Sequence, residues 1–496
     1  MELALPLDSY LEEYRYKYLA IYYALRDAIL AGRLAAGSKL PSTRYLANLY
    51  DISRGSVAQS YDMLLAEGYV QMVVGKGTFV THAGPSPVSE EQTTSAEITL
   101  SSWGLRLMSQ QQTSYDNQRC QGMVSFVPES PPMAFFPYDE WRSALAYAGG
   151  KGGGDLELPT RPEGDLQLRE VIAGYLRTTR GITVNATNIV LFSGSMQGIA
   201  ILSQLVVNEG DRVVVEDPGY SGIHKAVHAC GGTIVQGVVD EEGLIPEAWD
   251  ARVLFVTPSR HFPTGAVLSL ERRRRLLEWV QKQEGIIIED DYDSEFRFGG
   301  RPIEPLKALD HDGRVIYLGS FSKTMFAGLR LGYALVPNVL VEPVVRAKAF
   351  YDPISPGLLE QRALAHFMAH GHYKRHLRRM TRIYSARHNQ LCTLMSERIG
   401  DIFHCIPGDA GLHVYALWQR SSEEYDVFKL EARRRGVEFK DAASYRISPG
   451  PLAACFGFAH LDEDQMVEGV NRLAQAWEDV QQLFAMTDCE VQARRG

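Results

Sequence analysis

From Val124 onward, short apolar runs alternate with segments of helical periodicity. "IVLFS", "RVVVED", "RVLFVTP", "GIIIEDD" and "RVIYLGS" each end in Gly, Ser, Asp or Pro, and most are followed by apolar residues at three-and-four spacing. That alternation predicts an α/β domain over 123–496, a mainly parallel sheet covered by helices with ligand groups at the carboxyl ends of its strands. Residues 1–81 read differently. A helix is expected over about Tyr14 to Ala31, with Leu19, Tyr22, Tyr23, Arg26, Ile29 and Leu30 at amphipathic spacing. A second follows the breaks at Gly37 and Pro41, capped by Ser42. A third, Arg54 to Glu67, is capped by Ser53 and carries Val57, Tyr61, Leu64 and Leu65 on one face. "GYVQMVVGKGTFV" then predicts a hairpin turning at Gly75-Lys76-Gly77. Between the two regions, residues 82–122 begin "HAGPSPVSEEQTTSAE", poor in apolar residues and rich in Ser, Thr, Pro and Glu. This stretch reads as a flexible linker of about 40 residues spanning about 35 Å, long enough to place the N-terminal domain over a neighbouring subunit.

A chain of 496 residues exceeds one compact core, in keeping with this division. No run approaches the roughly 18 apolar residues of a membrane span, and the acidic start, broken by Pro6 and Asp8, lacks the pattern of a secretory signal. A cytoplasmic protein without membrane contact is expected. The six cysteines have no metal-ligand or disulfide spacing, so reduced thiols and no metal site are expected. The net charge of −9 excludes a protein coated in nucleic acid along its length, but leaves room for a small reading head.

Two helices joined by a tight turn and followed by a hairpin describe a mainly α winged helix-turn-helix; a small docking module is the plainer alternative. In the first case Ser53, Arg54, Gly55, Ser56 and Gln59 start the recognition helix, and Arg44 and Lys76 meet phosphates. Residues 1–80 hold eight Lys/Arg and eight Asp/Glu, so charge does not decide between them. The residue order is more specific. "LPSTRYLANLYDISRGSVAQSYDMLLAEGYVQMVVGKGTFV" resembles the DNA-binding domain of the GntR family of bacterial regulators almost position for position, which implies a double-stranded DNA operator as partner.

The strand ends hold the candidate chemistry. In "EGIIIEDDYDSEFRF", strand alternation puts Asp290 and Tyr292 on one side and Asp291 on the other; alone, the acidic run would read as a solvated loop. "VLFSGSMQGIAILSQLV" is a strand, a Gly-rich turn and a helix, whose first N–H groups suit a phosphate. Ser195 and Gln197 could add side-chain donors there, and Met196 its N–H. Tyr220 follows Pro218-Gly219 at another strand end, either packing or stacking on a flat ring. "RVIYLGSFSKTMFAGLRLGY" offers Ser320, Lys323 and Arg330. Together these are a phosphate cradle, a stacking ring, a carboxylate, a phenol and a lysine, the set that pyridoxal 5′-phosphate requires. Lys323 is then the Schiff-base lysine, with Ser320 and Arg330 at the phosphate.

The segment from Pro258 to Pro337, with "TPSRHFPTGAVLSLERRRRLLEW" and "IIEDDYDSEFRFGGRPIEPLKALDHDGRVIYLGSFSKTMFAGLRLGYALVP", closely resembles the MocR/GabR subfamily of GntR regulators. That resemblance covers nearly the whole chain. It implies a winged helix fused to a pyridoxal phosphate-dependent, type I aminotransferase-like domain, and a head-to-tail homodimer. Transcription would be controlled by the cofactor itself or by an amine or amino compound that displaces Lys323 to form an external aldimine. By motif, Asp290 is the ring-nitrogen partner, Tyr292 the O3′ partner and Tyr220 the stacking aromatic. The runner-up is a catalytically active aminotransferase with an appended DNA-binding domain.

Two positions depart from the type I pattern. Phe262 stands where an asparagine usually precedes the Pro-Thr-Gly turn. Cys455, in "ACFGFAHL", stands where amino-acid aminotransferases hold the substrate carboxylate with an arginine, which argues against turnover. Arg446 is near it in sequence. Of the basic clusters, Arg272 to Arg275 are expected on a solvated helix face, with Leu270, Leu276, Leu277 and Val280 buried. "HYKRHLRRMTRIYSARH" is expected to form a long helix exposed on one side.

Overall fold

The two periodicities give two separate units, Met1–Thr99 and Leu100–Gly496, of which the computed structural model describes residues 5–81, 99–110, 122–129, 131–155, 160–299 and 303–493. In the first, helices Leu7–Glu13, Lys17–Leu30, Thr43–Leu49 and Arg54–Ala66 precede an antiparallel hairpin of β1 (Val70–Val73) and β2 (Gly77–Val80). The expected first helix starts at Lys17 rather than Tyr14. Its core face is Ile21, Ala24, Leu25, Ala28 and Ile29, while Tyr23, Arg26 and Leu30 stay partly exposed. The alanines let Arg54–Ala66 approach closely, with Val57, Ser60, Tyr61 and Leu64 inward and Leu65 exposed instead of buried. Both predicted caps form: Ser42 Oγ accepts from Tyr45 N at 3.2 Å and Ser53 Oγ from Ser56 N at 3.1 Å. Each contributes about 1 kcal/mol. The hairpin turn needs glycine, with φ 76° at Gly75 and 118° at Gly77.

In the second unit β3 (Val124–Ser125) pairs with β14 (Val437–Glu438). The main sheet comprises β4 (Ile189–Phe192), β5 (Arg212–Asp217), β6 (Thr233–Asp240), β7 (Gly243–Leu244), β8 (Val253–Val256), β9 (Ile286–Asp291), β10 (Val315–Ser320) and β11 (Gly332–Leu335). Their order is β4-β11-β10-β9-β8-β5-β6-β7. The run from β10 to β6 is parallel, and β11 lies antiparallel between β4 and β10. β4 and β8 are buried at every position, as strands covered on both faces must be. A smaller sheet, in the order β12 (Phe403–Cys405), β13 (His413–Trp418), β16 (Ala453–Gly457), β15 (Lys440–Asp441), is antiparallel. Helix His372–Ile399 packs against β12 and β13, burying Tyr373, His376, Met380, Tyr384 and His388 while Lys374, Arg375, Arg378, Arg379 and Arg382 remain exposed.

Two expectations need correction. Within the stretch read as flexible linker, Ser102–Met108 is helical, capped by Ser101 Oγ on Gly104 N at 3.1 Å. Composition misled because the ordering is non-local. Arg106 donates to Ala229 O at 3.0 Å and Glu209 at 3.1 Å, and Gln110 donates to Lys225 O at 2.9 Å, which fastens this segment to helix Ser221–Ala229. The rest of the linker, 82–98 and 111–121, lies outside the described residues. Second, the Arg272–Arg275 run is not uniformly solvated. Arg273 is 2% exposed and donates to the carbonyls of Leu268, Pro258 and Glu304, whereas Leu270 is exposed. Three carbonyl acceptors offset the burial of that guanidinium. Cys230, Cys392, Cys405 and Cys455 are free thiols.

Candidate functional site

Register builds the anion end of the site. Gly332 pairs with Phe192 on one side and Ser320 on the other, so the end of β10 meets the helix that follows β4. That helix, Ser195–Val206, begins after Gly194, whose φ of 89° suits glycine. A Cβ on Gly194 would lie 2.8 Å from Arg330 Nη2, and one on Gly332 would lie 2.8 Å from Ser195 N. Arg330, itself left-handed at φ 49°, donates to Ser193 O at 3.0 Å, which holds its guanidinium over the helix start. Ser320 Oγ accepts from Ser322 N at 3.2 Å. Ser195, Met196, Gln197, Ser320 and Arg330 therefore converge on the outward N–H groups of one helix. Gln197 differs from expectation in one respect. Its amide accepts from Ser193 N at 2.7 Å and donates to Asp352 at 2.8 Å, leaving its backbone N–H as its contribution.

The ring end is built by β5 and β9. After a cis Asp217–Pro218 bond, Tyr220 sits at the start of helix Ser221–Ala229. A Cβ on Gly222 would lie 2.4 Å from its ring and 2.9 Å from Met196 Sδ, so the ring stands beside the anion cradle. Strand alternation at β9 holds. Asp291 turns to Arg180 and Tyr317, Glu289 accepts from Leu306 N and Lys307 N, and Asp290 faces the other side. Asp290 Oδ1 is buried and meets no donor among the described residues. Burial, then the Asp291 and Asp293 carboxylates, push it up to about 7. An orphaned carboxylate of this kind fits a cationic ring nitrogen, which would supply the missing donor.

Tyr292 Oη accepts from Arg260 Nη1 at 2.7 Å; burial raises its pKa well above the phenol range, against the pull of Arg260. The same guanidinium donates to Asp293 at 3.0 Å and to His413 O at 3.1 Å. Lys323 is half-buried and donates to Glu129 O at 3.3 Å. Burial lowers its pKa, opposed by Asp293 and Glu129, so more of the free amine is present near neutrality. Phe262 centres an aromatic cluster. It meets Tyr220, Tyr292, His413 and Tyr445 edge-on at centroid distances of 6.0, 5.6, 5.7 and 4.9 Å. Arg260, Asp293 and His413 were missed as site residues. Arg260 lies inside the quoted "TPSRHFPTG" motif, so position beside the turn was an available signal; His413 offered none.

In the N-terminal unit Arg44, Arg54, Gly55, Gln59 and Lys76 are exposed. Ser56 Oγ lies 2.9 Å from Ser53 Oγ, so these serines shape the helix start.

Comparisons with known proteins match both units of the chain. The bacterial gntR-family regulatory protein pattern matches residues 17–80, and the aminotransferase class I and II pattern matches residues 133–473. The probable rhizopine catabolism regulatory protein MocR of Rhizobium meliloti is 34% identical over 92% of this chain and 93% of its own. The chain belongs to the MocR family of transcriptional regulators. Another relative, the pyridoxine biosynthesis transcriptional regulator PdxR of Corynebacterium glutamicum, is 30% identical over 89% of this chain and 92% of its own. Among solved structures, the Thermus thermophilus α-aminoadipate aminotransferase LysN, complexed with N-(5′-phosphopyridoxyl)-L-leucine, is similar. It superposes with a TM-score of 0.69 at 25% identity over 77% of this chain and 98% of that one. This MocR-family chain thus joins a GntR head to a type I aminotransferase fold, and among its described residues no helix is long and apolar enough to cross a membrane.

Proposed function

We propose that this regulator binds pyridoxal 5′-phosphate at Lys323 and uses it to sense an amine or amino compound. One observation carries the reading: Asp290, whose buried Oδ1 meets no donor among the described residues, lies in the same unit as a half-buried lysine and a helix start overhung by Arg330. When bound, the cofactor supplies an aldehyde that condenses reversibly with primary amines and a ring that withdraws electrons. Lys323 Nζ offers the amine for attachment, and a competing amine would free it. Asp290 would hold a proton at the ring nitrogen. Tyr292, held by Arg260, would donate to the ring oxygen, and Tyr220 would cover the ring face. The start of helix Ser195–Val206, with Ser320 and Arg330, would hold the phosphate.

A homodimer completes the reading. Phe350, Tyr351 and Ile354 are 83%, 52% and 57% exposed on either side of Asp352 in sequence, the residue that anchors Gln197. A second copy of the chain would cover this apolar face beside the site. The helix that starts at Tyr220 has the linker segment fastened at its far end through Arg106 and Gln110, which supports a route from site to linker. Ligand preference for one arrangement would then change operator affinity.

We infer that sustained transamination is not its task, since relatives aligned over most of its length are named as regulators. Continued turnover with an amino donor and a keto acid would overturn that inference. The sensing role is tested with Lys323→Ala in a reporter assay alongside absorption spectra. Loss of both the spectral change and the transcriptional response is expected. Loss of the first with the second unchanged would defeat the mechanism.

A further inference from the structure

A cavity of about 620 Å³ opens among the loop that ends at Asp165, helix Asn338–Tyr351 and helix Leu358–Ala369. That volume lies within the roughly 300–1,000 Å³ of small-ligand pockets. None of the residues assigned above to the cofactor lines it. Part of the lining is apolar, with Val341, Val345 and Leu358 half-buried. The rest is charged: the guanidinium groups of Arg161, Arg169 and Arg362 line it together with the carboxylates of Glu163 and Asp165, which leaves one positive charge in excess. Asp165 is fixed there because its Oδ1 caps helix Leu166–Arg180, accepting from Leu168 N at 3.0 Å.

The ion pairs within this lining are loose. Glu163 Oε1 lies 3.9 Å from both Arg161 and Arg169, and Asp165 Oδ2 lies 3.7 Å from Arg362 Nε. All three distances exceed hydrogen-bond length, so the guanidinium donors remain open to other acceptors. Arg169 finds them in the carbonyls of Gly164, at 3.2 Å, and Ala186, at 3.0 Å. Arg362 is only partly served. Its side chain is 13% exposed and its Nη2 donates to Asp155 O at 3.1 Å, but its Nη1 is buried with no partner among the described residues. Thr160 Oγ1 is buried and unpartnered in the same sense. A guanidinium and a hydroxyl that lack acceptors, in a lining that is otherwise apolar, suit a carboxylate carried on a hydrocarbon body.

We propose that this cavity binds a small organic carboxylate through Arg362 and Thr160, as a second ligand distinct from the amine received at Lys323. A chain of polar contacts joins its loop to the proposed phosphate cradle. Asp165 N donates to Gln361 Oε1 at 2.7 Å, and Gln361 Nε2 to Ser355 Oγ at 3.0 Å. Lys348, fully buried, donates to Pro162 O at 2.7 Å and lies 3.9 Å from Asp352, whose carboxylate holds Gln197 at 2.8 Å. An occupant that orders the loop steadies Lys348 and Asp352, and with them the start of helix Ser195–Val206. The site itself stands without the cofactor, whereas this coupling rests on the cofactor reading above.

The test titrates hexanoate and 3-phenylpropanoate by calorimetry into the full chain without cofactor, beside hexanamide and 3-phenylpropanamide. At least one acid should bind saturably and about tenfold or more tightly than its amide, as a charge-assisted hydrogen bond requires. Arg362→Gln should weaken that acid about tenfold, Arg362→Lys should restore part of the loss, and the isosteric Thr160→Val should weaken it about threefold. A circular dichroism spectrum like that of the wild type confirms that each variant is folded. Saturation with the acid should also shift the affinity for pyridoxal phosphate, read from its visible band. No saturable binding by either acid, equal binding of the amide, or undiminished binding in Arg362→Gln and Thr160→Val overturns the proposal. Inorganic phosphate that displaces the acid with equal affinity makes the cavity a general anion site and overturns the carboxylate assignment. Acid binding with unchanged cofactor affinity removes the coupling and leaves the site. A chain that binds the acid but takes no pyridoxal phosphate defeats the cofactor reading, and the coupling with it, and leaves the site standing.

Discussion

Asp290→Asn should make the cofactor-free protein more stable at alkaline pH, although it alters a central site residue. Asp290 is 7% exposed, its Oδ1 meets no donor, and burial with the neighbouring Asp291 and Asp293 pushes it from 3.8 up to about 7. The folded chain therefore holds this proton more tightly than the unfolded chain. Stability attributable to the group is greatest below the unfolded value of 3.8 and falls as pH rises through about 7. At about 1.4 kcal/mol per pH unit, the full loss is about 4 kcal/mol by pH 8. Asparagine keeps the volume without the charge, but its amide needs partners, a cost of about 1–2 kcal/mol. The expected net gain at pH 8 is thus about 2–3 kcal/mol, with a small loss at pH 4. Urea denaturation of the cofactor-free chain at both pH values, followed by tryptophan fluorescence, reads the difference. With pyridoxal phosphate bound, the order should reverse, because asparagine cannot pair with a cationic ring nitrogen. A stability difference between variant and wild type that does not change with pH would refute the reasoning.

Gly411→Ala would place a Cβ 2.1 Å from Arg260 Cζ at a φ of 89°, so the guanidinium must leave Tyr292; cofactor affinity should fall tenfold or more in an absorbance titration. Arg54→Ala should weaken and relax operator recognition, whereas Lys76→Ala should weaken all sequences alike and lower the salt slope by about 1 in fluorescence anisotropy. Phe350→Asp, at a position 83% exposed, should shift sedimentation toward monomer without unfolding the chain. An unchanged sedimentation coefficient at micromolar concentration would count against the dimer face proposed here.

Strand-end chemistry was legible because alternation along a strand is strict: Asp290 and Asp291 had to face opposite sides, and Asp291 pairs with Arg180 while Asp290 Oδ1 meets no donor among the described residues. Helix caps at Ser42 and Ser53 were legible for a similar reason, since a cap is a contact over three residues. What escaped was set by distant parts of the chain. Arg273 looked solvated until three carbonyls from loops around it were placed. Gln197 looked like a phosphate donor until Asp352, 155 positions away, took its amide. The linker helix and Arg260 share that cause, as their partners lie far off in sequence.

The central claim is that Lys323 carries the cofactor in a working regulator. Borohydride reduction of the purified protein with pyridoxal phosphate, followed by mass mapping of its peptides, tests it most directly. The account predicts a visible band that reduction abolishes and a phosphopyridoxyl label on Lys323, absent from Lys323→Ala. A protein that stays colourless with added cofactor, or a label spread over other lysines, would contradict it.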